Sequence, residues 1–158
     1  EAFKNNIKTR NTALNFLNSG GAIGIFPGGT VSTASAPFGV PMDPCWRSFT
    51  AKMIIKSQAR VIPIFFEGYN SRTFQLASHF NFNLRMGLLI REFKSKVGKP
   101  VKICIGKPVS DFEIKARSGN ARILMDFLRE ETYKLSQTPL KSLDYGFEFD
   151  DRYKLKGF

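Results

Sequence analysis

Three short apolar runs, Ala22–Phe26, Arg60–Phe66 and Val101–Ile105, punctuated by glycine and proline, set the frame for this chain. Runs of that length suit buried strands. Between them, apolar residues recur at the three- and four-residue spacing of a helix face. Phe3, Ile7, Leu14 and Leu17 mark a first helix, and Trp46, Phe49 and Met53 mark a second that ends near Ser57. Arg72–Ser78 and Leu84–Phe93 read as short helices, and Asn120–Leu135 as a last one with Ile123, Leu124, Phe127, Leu128 and Leu135 inward. Strands alternating with helices imply an α/β layered fold with a largely buried sheet. Pro63 puts the second strand at an edge or a bulge, because proline cannot donate to a ladder. Asp43-Pro44 reads as a helix start, with Asp43 as the cap and proline at the first helical position.

The 158 residues suffice for one domain with a real core. Residues 1–136 form that domain, and the less periodic, polar and aromatic residues 137–158 read as a tail or a peripheral flap. The formal net charge of +11 draws the surface toward anionic partners: membrane, nucleic acid or acidic substrate. Lys94, Lys96, Lys99, Lys102 and Lys107 concentrate part of it, as a solvated face or as a contact for anionic lipid headgroups. Cys45 and Cys104 are too few for a disulfide framework and read as reduced thiols. No apolar run approaches the ~20 residues that span a bilayer. One histidine and two distant cysteines give no metal-ligand cluster. The chain opens on Glu1 within a helical pattern, as expected of a fragment or a processed product.

The stretch Gly21–Ala34, GAIGIFPGGTVSTA, carries the chemistry. Consecutive glycines let a backbone approach a ligand and aim N–H groups at it, and small hydroxyl residues add donors without bulk. A ligand-cradling loop and an ordinary tight turn both satisfy the pattern. A phosphate-binding P-loop does not, because Thr30 stands where lysine belongs. A dinucleotide fingerprint fails as well, since no helix directly follows a GxGxxG.

Phe26-Pro27-Gly28-Gly29-Thr30-Val31-Ser32 resembles the phenylalanine-proline-x-glycine-threonine block of the glycerolipid and lysophospholipid acyltransferases. In that family the block helps bind the acyl acceptor. Gly28 replaces the usual glutamate and Val31 the usual arginine, which removes a phosphate contact. Val61-Ile62-Pro63-Ile64 is similar to the family's later valine-proline block. FFEGYNSRTFQLASH, LRMGLLIREF and VKICIGKPV are similar to a bacterial lysophospholipid acyltransferase-like, hemolysin-like branch, and the likeness runs from Ala2 to Ser136.

The resemblance implies an α/β fold with a small mixed, largely parallel sheet flanked by helices. It implies acyl transfer from acyl-CoA or acyl-carrier protein to a lysophospholipid-like acceptor, with no cofactor beyond that co-substrate and no metal. The partners implied are the thioester donor, the lysolipid and an anionic membrane surface, at the cytoplasmic face and peripheral. Substrate-binding residues are Phe26, Pro27, Gly28, Gly29, Thr30 and Ser32, joined by Glu67, Asn70, Ser71 and Arg72 past the second strand. Arg72 is the candidate anion clamp there, with an ion pair to Glu67 as its alternative. The family's base is a His-x4-Asp pair ahead of these blocks. The sole histidine, His79, follows both blocks and has Leu84 five positions on, so the pair is expected upstream of Glu1 and this chain is expected to be inactive alone.

Two rival readings stand beside this one. A basic, non-enzymatic nucleic-acid module fits the charge and the aromatics, but no helix-turn-helix, RNP or zinc pattern appears. A serine hydrolase using His79 lacks a GxSxG elbow.

Overall fold

The computed structural model describes residues 2–138, 140 and 142–151, with side chains from residue 8 onward; Glu1, Pro139, Lys141 and residues 152–158 of the sequence-defined tail lie outside the description. Its elements run α1 (Ala2–Asn18), α2 (Ser48–Ser57), β1 (Ile64–Phe66), α3 (Arg72–Phe80), α4 (Phe82–Lys96), β2 (Ile103–Ile105), α5 (Asp111–Arg117) and α6 (Ala121–Tyr133). The architecture is mainly helical. The only sheet among the described residues is β1 paired antiparallel with β2, in the register Ile64↔Ile105, Phe65↔Cys104, Phe66↔Ile103.

This corrects the expected largely parallel sheet flanked by helices. Ala22–Phe26 forms no regular element and has no ladder partner among the described residues, and an apolar run becomes a strand only where a neighbour takes its backbone bonds. β1 and β2 are joined through the α3–α4 helical hairpin, which returns the chain in the opposite sense. Irregular bonds extend the ribbon at both ends: Glu67 N–H to Lys102 C=O (3.0 Å), Gly106 N–H to Pro63 C=O (2.9 Å) and Val109 N–H to Val61 C=O (2.9 Å). Pro63 thus serves as an acceptor at the ribbon's start, where no donor is needed.

The core lies between α2, α5 and α6: Trp46, Ala51, Ile114, Leu124, Met125 and Leu128. Leu124 and Met125 are fully buried, worth roughly 1.5–3 kcal/mol each. Ile123, expected inward, is half-exposed. Helix α6 starts where Asn120 Oδ1 accepts the N–H groups of Arg122 (2.9 Å) and Ile123 (3.3 Å), a side-chain cap. Asn81 caps α4 in the same way. Helix α2 begins four residues later than the Asp43-Pro44 signal, at Ser48, and its N-cap position Arg47 makes no side-chain cap bond. Asp43 is unavailable as a cap because its carboxylate is held elsewhere, as described next.

Candidate functional site

The loop between Phe26 and Met42 is closed at its base by an antiparallel bridge, Thr33 N–H to Met42 C=O (3.0 Å). Residues 142–151 then lie alongside as a strap. Gly146 N–H bonds Asp43 C=O (2.9 Å), and Phe147 N–H bonds Thr33 C=O (3.0 Å). A Cβ at Gly146 would overlap the Met42 carbonyl oxygen, so only glycine permits this approach. Arg129 anchors the strap from α6, donating to the carbonyls of Leu143 (2.7 Å), Asp144 (2.9 Å) and Asp43 (3.2 Å).

Inside this frame sits the glycine turn. Gly29 N–H bonds Phe26 C=O (3.2 Å), and Arg47 N–H bonds Pro27 C=O (2.9 Å). Gly29 has φ +68°, the left-handed region that glycine occupies without strain. A Cβ on Gly28 would meet Asp43 Cγ at 3.4 Å, and one on Gly29 would meet Arg47 Nε at 3.4 Å. One face of the turn is therefore backed by a carboxylate and the other by a guanidinium. Arg47 Nη1 in turn pairs with Glu148 Oε2 of the strap at 2.7 Å.

Asp43 ties the assembly together. Its carboxylate accepts from Ser32 Oγ and from Trp46 Nε1 (2.9 Å), and its N–H donates to the Tyr133 hydroxyl (2.9 Å). Burial, followed by the charge of Asp43, pushes the Tyr133 phenol up from 10.0 to about 12. Its neutral form is thus favoured in the folded chain. The corresponding stability is complete below the ordinary phenol pKa of 10.0 and is lost as pH rises through about 12. Alkaline denaturant unfolding should show this: across that window the wild type loses more stability than Tyr133→Phe. Equal losses in both would show that Tyr133 titrates normally.

Arg85 of α4 is only 3% exposed. Its Nη1 donates to Thr33 Oγ1 (2.8 Å) and Ser78 Oγ (2.7 Å), and its Nη2 to Val31 C=O (3.2 Å) and Thr30 Oγ1 (3.5 Å). The guanidinium lies between the rings of Phe74 (4.8 Å) and Phe149 (4.1 Å). Burial lowers its pKa. Its partners are hydroxyls, a carbonyl and ring faces, with no ion pair to an acidic side chain among the described residues. Gln75 of α3 completes the loop's support, accepting from Ala34 N–H (3.0 Å) and donating to Ser32 C=O (3.4 Å).

The sequence-derived residues therefore fall into two groups. Phe26, Pro27, Gly28, Gly29, Thr30 and Ser32 share the turn. Phe26 itself is 77% exposed and touches the Phe66 ring at 5.7 Å. Glu67, Asn70 and Ser71 lie on the β1–α3 connection and are engaged structurally, and Arg72 opens α3. Glu67 Oε1 accepts from Gln137 N–H (2.7 Å), Asn70 Oδ1 from Lys96 Nζ (2.6 Å), and Ser71 caps α3 while binding the Glu92 carboxylate. Arg72 is exposed and forms no ion pair with Glu67. Two surface hollows, of about 420 Å³ beside α1 and about 220 Å³ beside Glu92, are lined by other residues; within the turn Phe26 and Gly29 are exposed and Gly28 is buried. Asp43 as a hub, Arg47, Arg85, Gly146 and Glu148 were not legible as site residues. No signal in the sequence sets Arg85 apart, because α4 also carries Arg91, Lys94 and Lys96.

A family model described as Acyltransferase matches residues 6–146. The chain belongs to the acyltransferase family. No curated protein and no solved structure matches it. The match spans α1 through Gly146 and so takes in the glycine turn, Asp43, Arg47, Arg85 and the start of the strap. Glu148 and Phe149, which complete the outer wall of this acyltransferase's loop, lie just beyond it.

Proposed function

We propose that this acyltransferase moves an acyl chain from a thioester, acyl-CoA or acyl-carrier protein, to the hydroxyl or amine of a lysophospholipid-like acceptor, as a step in membrane lipid synthesis. The observation that carries the reading is the Phe26–Thr30 turn, whose left-handed Gly29 faces the Arg47 guanidinium within the stretch matched to the family. The two departures from the lysolipid acyltransferase block are met from one neighbouring segment. Asp43 places a carboxylate against Gly28, where the block has glutamate, and Arg47 places a guanidinium over Gly29, while Val31 replaces the usual arginine. A guanidinium suits a headgroup phosphate because its fork matches two phosphate oxygens. In this reading Glu148 occupies the phosphate's place, and acceptor binding exchanges one anion for the other.

Acyl transfer also needs a base to take the acceptor's proton. The His79 ring packs edge-on against Phe147 (5.3 Å), and its Nε2 is buried without a hydrogen-bond partner. No carboxylate among the described residues pairs with it, so the base is assigned, as the resemblance implies, to a histidine paired with an aspartate and not to His79.

The test separates binding from turnover. Lysophosphatidic acid, added below its micelle concentration, should change the fluorescence of Trp46 saturably. Arg47→Ala should weaken that binding about tenfold, the loss of one charge-assisted contact. Glu148→Gln, which takes the Glu148 carboxylate away from Arg47, should strengthen it. No saturable response, or the same affinity in all three proteins, would overturn the acceptor assignment. Residues 1–158 should give no transfer from acyl-CoA, and turnover that disappears in His79→Ala would sink the assignment of the base.

A further inference from the structure

Helix α4 is built inside out. The side chains it buries are Arg85, 3% exposed, and Glu92, 9% exposed. Among its exposed apolar side chains, Phe82 (58%), Met86 (46%), Ile90 (62%) and Phe93 (72%), with Val97 (66%) directly after its last residue, share one face, while Leu84 (51%) lies off it. Their spacing of four, four, three and four places all five within an arc of about 80° at about 100° per residue. The stripe is roughly 23 Å long at 1.5 Å per residue. Scattered exposed apolar residues are ordinary, but a continuous stripe on one helix face marks an interaction surface.

Charge decides what that surface meets. From Phe80 to Pro100 the basic residues apart from buried Arg85 are Arg91, Lys94, Lys96 and Lys99, and the only acid, Glu92, is turned inward onto Ser71. Two copies meeting through this face would bring four cations of each together. A lipid surface with anionic headgroups instead takes the apolar stripe into its acyl boundary and the flanking cations at its headgroups. No helix among the described residues is long and apolar enough to cross a membrane, and an amphipathic helix that meets a lipid surface lies in the plane of the interface.

We propose that the Phe82–Val97 stripe of α4 inserts into the interfacial layer of an anionic membrane and docks the protein there. The stripe begins beside the candidate site. The Phe82 ring is 6.4 Å from that of Phe149, which covers Arg85, and Arg85 holds Thr30, Val31 and Thr33. A lipid in the bound leaflet would thus lie next to the glycine turn. The inference goes beyond the acyl-transfer reading and does not need it, because docking is read without a donor or a turnover.

Vesicles of phosphatidylcholine, with and without phosphatidylglycerol, supply the test. The 158-residue chain should co-sediment with the anionic vesicles and much less with the neutral ones. Met86→Ser, Ile90→Ser and Phe93→Ser combined should weaken that binding at least tenfold while leaving the melting temperature unchanged, since all three side chains already face solvent. Lys94→Glu with Lys99→Glu should weaken it and flatten its salt dependence. The indole introduced by Phe93→Trp should be quenched by brominated lipid, whereas Trp46 in the unaltered chain should not. Wild-type vesicle binding by the triple serine variant would overturn the proposal. So would a dimer that dissociates in that variant while vesicle binding is unaffected.

Discussion

Gly146→Val should detach the 142–151 strap and lower the melting temperature by roughly 6–12 °C, the equivalent of about 3 kcal/mol for a chain of this size. The reason is geometric. The added side chain cannot share space with the Met42 carbonyl, so the Gly146–Asp43 and Phe147–Thr33 backbone bonds are lost. The Arg47–Glu148 ion pair, whose side chains are 19% and 11% exposed, goes with them. Buried groups left unpartnered account for most of the loss. Gly119→Ala is the matching control, because nothing lies within 4 Å of a Cβ there. Thermal unfolding of both variants, with limited proteolysis of the released strap, reads the difference. A Gly146→Val protein that melts with the wild type would mean that the strap is not held as described.

Asp43→Ala should cost about 2–4 kcal/mol and alter the emission of Trp46, the only tryptophan in the chain. The substitution strands the indole N–H and the Ser32 hydroxyl and opens a void behind Gly28. Asp43→Asn keeps one acceptor and should lose about half as much. Equilibrium unfolding followed by Trp46 fluorescence measures both at once. Lysophosphatidic acid affinity should fall in parallel, because the turn loses the carboxylate behind Gly28. Near-wild-type stability in Asp43→Ala would remove Asp43 from its place at the centre of the loop.

These two positions also show what the sequence could and could not reveal. Most of the helices were legible because local rules fix them, although α5 was not expected. Asn120, Asn81 and Ser71 cap where capping residues stand, and the apolar spacing of α6 foretells Leu124 and Leu128. The sheet was misread because strand pairing is non-local. Ala22–Phe26 has a strand's composition without a partner's hydrogen bonds, and the direction of β2 against β1 depends on a helical hairpin between them. The glycine turn was legible as a turn from its residue types, which suit a ligand loop and an ordinary tight turn alike. Its walls were not. Asp43 carries a helix-start signature, yet its carboxylate is committed to Ser32 and Trp46. Arg47 meets Glu148 across 101 positions, and Arg85 meets Thr33 across 52. No local pattern marks such pairs, because each is set by how elements dock. Ile123 failed for a related reason: helical period tells which residues share a face, and only packing tells how wide the covered part of that face is.

The strap has a consequence for how the protein comes into being. Ribosomal synthesis runs from the N-terminus, and the glycine turn emerges more than a hundred residues before Gly146, Glu148 and Phe149. Until those residues leave the exit tunnel, Arg47 has no Glu148, Arg85 has one open ring face, and the carbonyls of Thr33 and Asp43 await their strap donors. The glycine turn is therefore made long before it is finished, and a nascent chain stalled short of residue 146 carries the motif without its shape.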